Sequence, residues 1–499
     1  MLISESRLTR LTAPESNLVL KAPPRLGIVH IGLGNFHRAH FATHTAEAVL
    51  ASGGDWGIYA YSLRSNKNAL EMAEQDFLYT VLDIHPDSEK TIIPGIHIGA
   101  SGGPDAHNQV LHQLTDAKVR IISLTITESG YCYSTESGGL DATRPEIIHD
   151  LKDLGQPQSV IGLLAKALLI RATSHQSPVT VLSCDNLTSN GLTTKRVLLE
   201  FAALLEDEQS HQLHQYINTR TSFPNSMVDR IVPSTEQRHR VLVAERIGVR
   251  DEIPVPAEKF TMWVMEDDFI AGRPAWEKSG AIFSNEVEKF ETMKLRLLNG
   301  SHSLLAYVGA LSHKQSVPEA RYTPFIETAV RKFMRSEMAP TFTMPNSIDL
   351  DLYIEELFSR WSNTILSDKI SRIGSDGSIK LPPRITETSL WHGERNRPMP
   401  LTALILASWL ACVCPPKDFE PGPIARAMKD PAMDYLSNLR SKDAAANEPR
   451  EIVERLFSEG KIFSRELNSL AQLKEDIVMY LEEIIWHGVE AATLRATSS

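Results

Sequence analysis

Hydrophobic positions fall into two regimes along the chain. Up to about residue 285, short apolar runs alternate with segments whose apolar residues recur every three to four positions. Residues 26–31 form a compact apolar run ending in glycines, and further strand-like runs lie at 56–63, 91–98, 119–127 and 179–184. Between them, residues 40–50, 160–172 and 194–205 carry helical periodicity. Strands separated by helices predict βαβ units and a mostly parallel sheet. From residue 290 onward strand-like runs nearly disappear, and apolar residues recur at helical spacing in 293–307, 326–333, 352–361, 401–413 and 477–489. The pattern predicts an α/β domain over residues 1–284 and a mainly α-helical domain over 285–499. Residues 441–450 read as a polar insertion and 491–499 as a frayed tail. No internal repeat is visible.

At 499 residues the chain is too long for one compact core; length by itself suggests roughly three domains, and two large ones fit nearly as well. A hydrophobic fraction of 42% and a charged fraction of 23% are ordinary for a globular protein, which excludes disorder over most of the chain. With 62 acidic against 51 basic residues the formal net charge is -11, so no nucleic-acid partner is expected. The most apolar stretch, 401–413, is shorter than the ~20 residues a membrane span needs. Residues 1–21 mix charges and hold no apolar signal core. Cys132, Cys184, Cys412 and Cys414 form neither a disulfide framework nor paired CxxC knuckles. A cytoplasmic protein with reduced thiols is the expectation.

The apolar run at 26–31 leads into Gly32-Leu33-Gly34-Asn35-Phe36-His37. Gly32 suits a tight turn, and Gly34 suits close approach of a pyrophosphate to backbone N–H groups at a helix start. The third glycine of G-x-G-x-x-G is absent, and His37 stands in its place. A ribose-binding acid is expected after the second strand. Arg64-Ser65-Asn66-Lys67 occupies that region instead, so Arg64 and Lys67 are candidates for a 2′-phosphate. Arg64 reads equally well as a solvated loop residue.

The segment from Glu291 to His302 is the richest in candidate chemistry. On an α-helix Asn299 and His302 face the same way, and Lys294 falls within an arc of roughly 140° that includes both. An ammonium, an amide and an imidazole then share one face of an otherwise apolar helix. A solvated polar face is the plainer reading of the same spacing. His37, His40 and His302 lack the i,i+4 pairing of a helical zinc motif, so no metal is expected.

Gly32 through His40 resembles the cofactor turn of the mannitol dehydrogenase family, the polyol-specific long-chain dehydrogenases. Ser183-Cys184-Asp185-Asn186-Leu187-Thr188-Ser189-Asn190-Gly191, Met227 to Ile231, Met293 to His302 and Ser375-Asp376-Gly377-Ser378-Ile379-Lys380 resemble further motifs of that family, in order. The resemblance covers residues from about 25 to about 490. It implies a Rossmann-type N-terminal domain, a helical substrate and catalytic domain, and zinc-independent hydride transfer with NAD, or with NADP. Gly32, Gly34, Asn35, Phe36, Arg64 and Lys67 are then the cofactor-binding candidates. By the same resemblance Lys294 is the general base, and Asn190 and Asn299 are amides that bind the oxyanion. His302 positions the substrate oxygens, Glu291 relays protons, and Asp229, Arg372 and Lys380 line the substrate pocket. Leu381-Pro382-Pro383-Arg384 matches a step found in fructuronate-reductase-like members, and it adds Arg384 as a partner for a substrate carboxylate. An ordinary structural ion pair is the alternative for Arg384.

The leading expectation is an NAD(P)-dependent oxidoreductase for a sugar acid or polyol and its keto form, working as a monomer or weak homo-oligomer on a small molecule. A strict polyol dehydrogenase for mannitol or arabinitol is the alternative among enzymes. A non-catalytic cofactor-binding regulator is the alternative from another class; a lysine placed for proton transfer argues against it.

Overall fold

A computed structural model describes residues 6–85, 88, 90–134, 137–366, 368–439 and 448–499. Most of the polar insertion expected at 441–450 therefore lies outside the described residues. The chain divides into two compact units, residues 1–287 and 288–499.

The first unit is built on six strands: β1 (Leu26–Ile31), β2 (Gly57–Ser62), β3 (His97–Gly102), β4 (Ile121–Leu124), β5 (Val179–Ser183) and β6 (Thr221–Ser222). Their order across the sheet is β6-β5-β4-β1-β2-β3. Every neighbouring pair is parallel, with Ile31 opposite Tyr61 of β2 on one side and Leu124 of β4 on the other. Alternate residues of one strand point to opposite faces, and two apolar clusters follow from this. Val29, Ile31, Tyr59, Tyr61, Ile122 and Leu124 pack on one face against helices Val160–Thr173 and Asn190–Ala203. Ile28, Ile58, Ala60, Ile121 and Leu182 pack on the other against helix Phe41–Ser52, Trp263 and Trp276. A sheet covered on both faces needs apolar residues at nearly every strand position, which explains the continuous runs in the sequence. The Rossmann-type expectation agrees with this topology.

Two strand predictions need revision. The run 91–98 is not one strand: Thr91–Ile92 pairs antiparallel with Val81–Asp83, and β3 begins only at His97. Pro94 lies between them and has no N–H to lend to a ladder. The run 119–127 contributes only Ile121–Leu124.

The second unit is helical, and no strand occurs in it among the described residues. Its centre is the helix Pro400–Val413, in which all fourteen residues are buried. Its first amides have no intrahelical acceptor. The buried Glu337 carboxylate takes them, accepting from Leu401 N at 2.8 Å, Thr402 N at 2.8 Å and Thr402 Oγ1 at 2.7 Å. The expected frayed tail is absent. The helix Ala471–Ser498 is interrupted at Gly488 and then continues, with Val489, Ala492, Thr493 and Ala496 buried at helical spacing. Lys332 Nζ donates to Thr497 O at 2.7 Å and fastens the end. Among the described residues no helix is long and apolar enough to cross a membrane.

Burial pushes the Glu337 carboxyl up to about 7, against the opposing hydrogen bonds from Thr402 and Leu401. The folded state therefore holds a proton that the unfolded chain releases near its ordinary value of 4.5. This contribution to stability is complete below that value and is lost as pH rises towards 7. The advantage of wild type over Glu337→Gln should shrink by ~1–3 kcal/mol from about pH 5 to about pH 7 in urea melts. An advantage that grows with pH would contradict the assignment.

Candidate functional site

Strand order reverses at β1, and open parallel sheets bind ligands outside the carboxyl ends of strands at such a point. The glycine turn lies there. Gly32 has φ +113°, and a Cβ on it would stand 2.0 Å from Thr125 O, so only glycine fits. Gly34 caps the helical segment Asn35–Ala39 with ordinary extended backbone. A Cβ at Gly34 would meet nothing nearer than Gly32 O at 3.8 Å. That open space beside the first N–H groups of a helical segment fits a dinucleotide pyrophosphate. Asn35 braces the turn, donating to Pro233 O at 3.1 Å and accepting from Arg38 Nη2 at 2.7 Å. Phe36 stacks on His40 with centroids 4.9 Å apart.

His37, in place of the third glycine, is wholly buried. It lies flat on His30 with centroids 3.4 Å apart, and its Nε2 shares a hydrogen with His97 Nε2 at 2.9 Å. Burial pulls His30 and His97 down to about 3 and holds His37 well below its ordinary value. The packing beneath the turn is therefore aromatic and uncharged at neutral pH.

Beyond β2 and β3 lies a cavity of about 430 Å³, lined by Arg64, Ser65, Asn66, Gly102, Gly103 and Asp105 among others. Arg64 faces it. Lys67 is not among its lining residues; it starts the helix Lys67–Glu74 and is exposed. Asp105, in the short turn Pro104–Ala106 after β3, is an acid among the lining residues. Sequence reasoning missed it because it inspected only the loop after the second strand.

At the end of β5 the motif containing Asn190 closes on itself. Asn190 is buried, and its Nδ2 donates to Ser226 O at 2.9 Å and to Ser183 O at 3.3 Å. Its Oδ1 accepts from Ser226 N at 2.9 Å. Both amide hydrogens are thus engaged by the protein, and Asn190 ties the loop after β5 to the strand Ser226–Asp229. Asp229 is buried at the end of that strand. The phenol of Tyr131 donates to the Asp185 carboxylate in the same loop, and burial raises Asp185 to about 7.

In the second unit, the segment carrying the candidate base departs from the expected α-helical register. Val287–Met293 is α-helical, Lys294–Gly300 is a π-helix, and the α-helix resumes over Ser301–Leu311. Hydrogen bonds to the fifth residue widen the turn, so the angle between Lys294 and Asn299, five apart, is smaller than in a regular helix. In α-register they would diverge by roughly 140°. Glu291, Lys294, Asn299 and His302 are all partly exposed in this unit while Leu297, Leu298 and Gly300 are buried. Among the described residues the Asn299 amide makes no hydrogen bond to protein. The Trp361 indole N–H donates to His302 Nε2 at 2.8 Å, a contact that no local pattern in the sequence announced.

Helix Gly377–Glu394 brings Arg384 beside the same segment. Arg384 Nη1 donates to Ser303 Oγ at 2.9 Å, and Ser303 Oγ in turn reaches Asn299 O at 3.5 Å. A sliver of Arg384 stays accessible, yet its guanidinium is so enclosed that burial pulls it down to about 10, against the influence of Tyr307. Among the described residues no carboxylate pairs with it. Lys380, one turn earlier, donates to Ser375 O at 2.7 Å and lies 3.5 Å from Asp376. Burial, then the neighbouring Arg384, lower its pKa. Arg372 stands apart: its side chain is 65% exposed and paired with Asp368 at 2.5 Å, so the structure places it in a surface ion pair.

Comparison with known proteins agrees with this geometry. Residues 26–278 match the mannitol dehydrogenase Rossmann domain and residues 286–485 the mannitol dehydrogenase C-terminal domain. An uncharacterized oxidoreductase, YeiQ, of Escherichia coli (strain K12) is 37% identical over 469 residues, 94% of each chain. D-mannonate oxidoreductase of the same organism is 37% identical over 387 residues, 77% of this chain and 79% of that protein. Mannitol 2-dehydrogenase of Pseudomonas fluorescens, solved as a ternary complex with NAD and D-mannitol, superposes with a TM-score of 0.85 at 32% identity, covering 99% of this chain and all of that one.

The two glycines of the turn should respond differently to substitution. Gly32→Ala forces a side chain into left-handed backbone and against Thr125 O, and should destabilise the fold by ~3 kcal/mol or more. Gly34→Ala should stay within ~1 kcal/mol of wild type in thermal melts without ligand. Equal losses would assign both glycines to the fold alone.

Proposed function

Because the chain belongs to the mannitol dehydrogenase family, we propose that it is a zinc-independent, NAD-dependent oxidoreductase interconverting the secondary alcohol of a sugar acid and its keto form, with a keto-hexuronate of the fructuronate type preferred over a neutral ketose. On this reading residues 1–284 hold the dinucleotide and residues 285–499 carry the substrate chemistry. Gly32, Gly34, Asn35 and Phe36 form the pyrophosphate turn. Arg64 and Asp105 both line the adenosine end, so NAD is the primary cofactor and a 2′-phosphate meets attraction and repulsion together. Cytoplasmic residence accompanies this reading, with Cys132, Cys184, Cys412 and Cys414 each buried and in no disulfide among the described residues. A monomer or weak homo-oligomer is the proposed state.

Hydride exchange at the carbinol carbon is the chemistry that a bound nicotinamide supplies. The protein must move the hydroxyl proton and hold the negative oxygen. Lys294 takes the proton when the alcohol is oxidised and returns it when the ketone is reduced. The Asn299 amide donates to the developing oxyanion, a contribution typically worth ~10²–10³ in rate. Glu291, one helical turn before Lys294, passes the proton to solvent. Asn190 is the second amide that the family pattern assigns to the oxyanion. Its hydrogens are engaged by Ser183 and Ser226 here, so it serves that role only by rotating or by keeping the loop in place.

Arg384 carries the substrate reading. An enclosed guanidinium without a carboxylate costs several kcal/mol to bury. A neutral polyol leaves that cost standing, whereas a hexuronate brings the missing carboxylate to a fork that binds it bidentately. Lys380 adds a second cation nearby. The strict polyol reading draws support from the likeness to the mannitol-bound relative.

Two measurements test the proposal. Lys294→Ala should lower kcat by ~10³ or more while dinucleotide binding, followed by fluorescence titration, survives. Retention of more than about a tenth of wild-type kcat would remove Lys294 from the role of base. Arg384→Met should lower kcat/KM for fructuronate by ~30- to 1,000-fold, change that for fructose by no more than about threefold, and leave the fold as stable or more so. Equal penalties on both sugars, or a large loss of stability, would make Arg384 a structural residue.

A further inference from the structure

The contact between Trp361 and His302 defines which hydrogen the imidazole carries. An indole N–H is a donor and offers no lone pair in return. At 2.8 Å from Trp361 Nε1, His302 Nε2 must therefore accept. A neutral imidazole that accepts at one nitrogen carries its hydrogen on the other. An imidazolium would set two N–H groups against each other at the same distance, and a ring flip would leave the indole facing a carbon. The arrangement is held from both sides. Trp361 is only 2% exposed and meets Phe358 edge to face at 5.2 Å, at the end of helix Leu350–Trp361. His302 stands one residue into the helix that follows the π-helical turn, with its ring centroid 5.5 Å from that of Trp361.

We propose that Trp361 is a positioning residue that holds His302 as the neutral Nδ1–H tautomer, so that His302 meets the substrate oxygen only as a hydrogen-bond donor. This rests on the dehydrogenase reading for its substrate and on the indole contact for its geometry. The consequence is a division of labour along one helix. A neutral donor stabilises an alkoxide, or polarises a carbonyl, without gaining or losing a proton. Proton transfer is then left to Lys294, and Asn299 and His302 act together as neutral donors. A histidine free to protonate beside the same oxygen would compete with Lys294 for the proton.

The tautomer is measurable without turnover. In the full-length protein labelled with ¹⁵N-histidine, long-range ¹H–¹⁵N correlation reports which ring nitrogen is protonated, and the His302 signals are those lost in His302→Gln. The expected spectrum at neutral pH has a protonated Nδ1 and an unprotonated Nε2. A proton on Nε2, or on both nitrogens, would overturn the proposal. Trp361→Phe keeps an aromatic ring in the core and removes the donor. Its His302 signals should move towards an average of both tautomers, and kcat should fall roughly 10- to 100-fold, the scale of losing an orienting partner of a functional histidine, with the dinucleotide KM unchanged. An unchanged tautomer in Trp361→Phe would equally overturn it. Should that variant fail to fold, the wild-type spectrum alone decides the tautomer. A chain that shows the Nδ1–H form yet reduces no keto-sugar would refute the dehydrogenase reading and leave the tautomer assignment standing.

Discussion

The first amides of the helix Pro400–Val413 point into an interior without water, and the Glu337 carboxylate answers them. The same constraint recurs throughout both units: a polar group taken from water has to meet a partner, or the fold carries the cost. Arg171 obeys it in the first unit. It is fully buried on helix Val160–Thr173 and donates to the carbonyls of Leu114, Asp116, Val119 and Ser177, gathering the segments that lead into β4 and β5. Asn190 obeys it by joining the loop after β5 to Ser226. The Asn190 contacts lie at the carboxyl edge of the sheet, where the glycine turn also sits, and the Arg171 contacts tie the opposite edge.

The fold was legible where local rules suffice. A doubly covered parallel sheet leaves apolar runs, and a tight turn at the switch point leaves glycines; β1 and Gly32 follow directly from those two facts. What escaped reading was either non-local or out of register. The split of 91–98 depended on Pro94 and on a pairing with Val81–Asp83 that periodicity does not encode. The tail after residue 490 is short and small-residued, and only its packing shows that it is not frayed. Trp361 lies 59 positions from His302, and Asp105 reaches the cavity beside Arg64 from a different loop than the one a fingerprint inspects. Arg372 was grouped with Lys380 and Arg384 by the family resemblance and by nearness in sequence; its side chain is exposed and paired with Asp368, while it still adds, behind burial and Arg384, to lowering the pKa of Lys380.

The π-helical turn shows how a register error changes chemistry. Read at 3.6 residues per turn, Lys294 and Asn299 stand roughly 140° apart, at the two ends of the face that includes His302. The wider turn narrows the angle between the amine and the amide while Leu297 and Leu298 between them remain buried. Such a turn forms poorer backbone geometry than an α-helix, and it is found mostly as an insertion at functional sites. The side chains gain an alignment that the regular helix would deny them.

Arg384 is an enclosed cation without a carboxylate partner among the described residues, and this is informative because a remedy was structurally close. A glutamate on a neighbouring turn would neutralise the guanidinium, as Glu327 and Glu355 do for Arg331. Such a carboxylate would occupy the fork permanently, and an incoming anion would have to displace it. Leaving the charge unpaired keeps affinity in reserve for a ligand that brings its own carboxylate, at a cost to the empty protein. Ser303 lowers that cost with one neutral hydrogen bond and closes off none of the remaining donors of the guanidinium. The same Ser303 sits beside His302, so the charge that would choose the substrate and the imidazole that would hold its oxygen are set by consecutive residues of one helix.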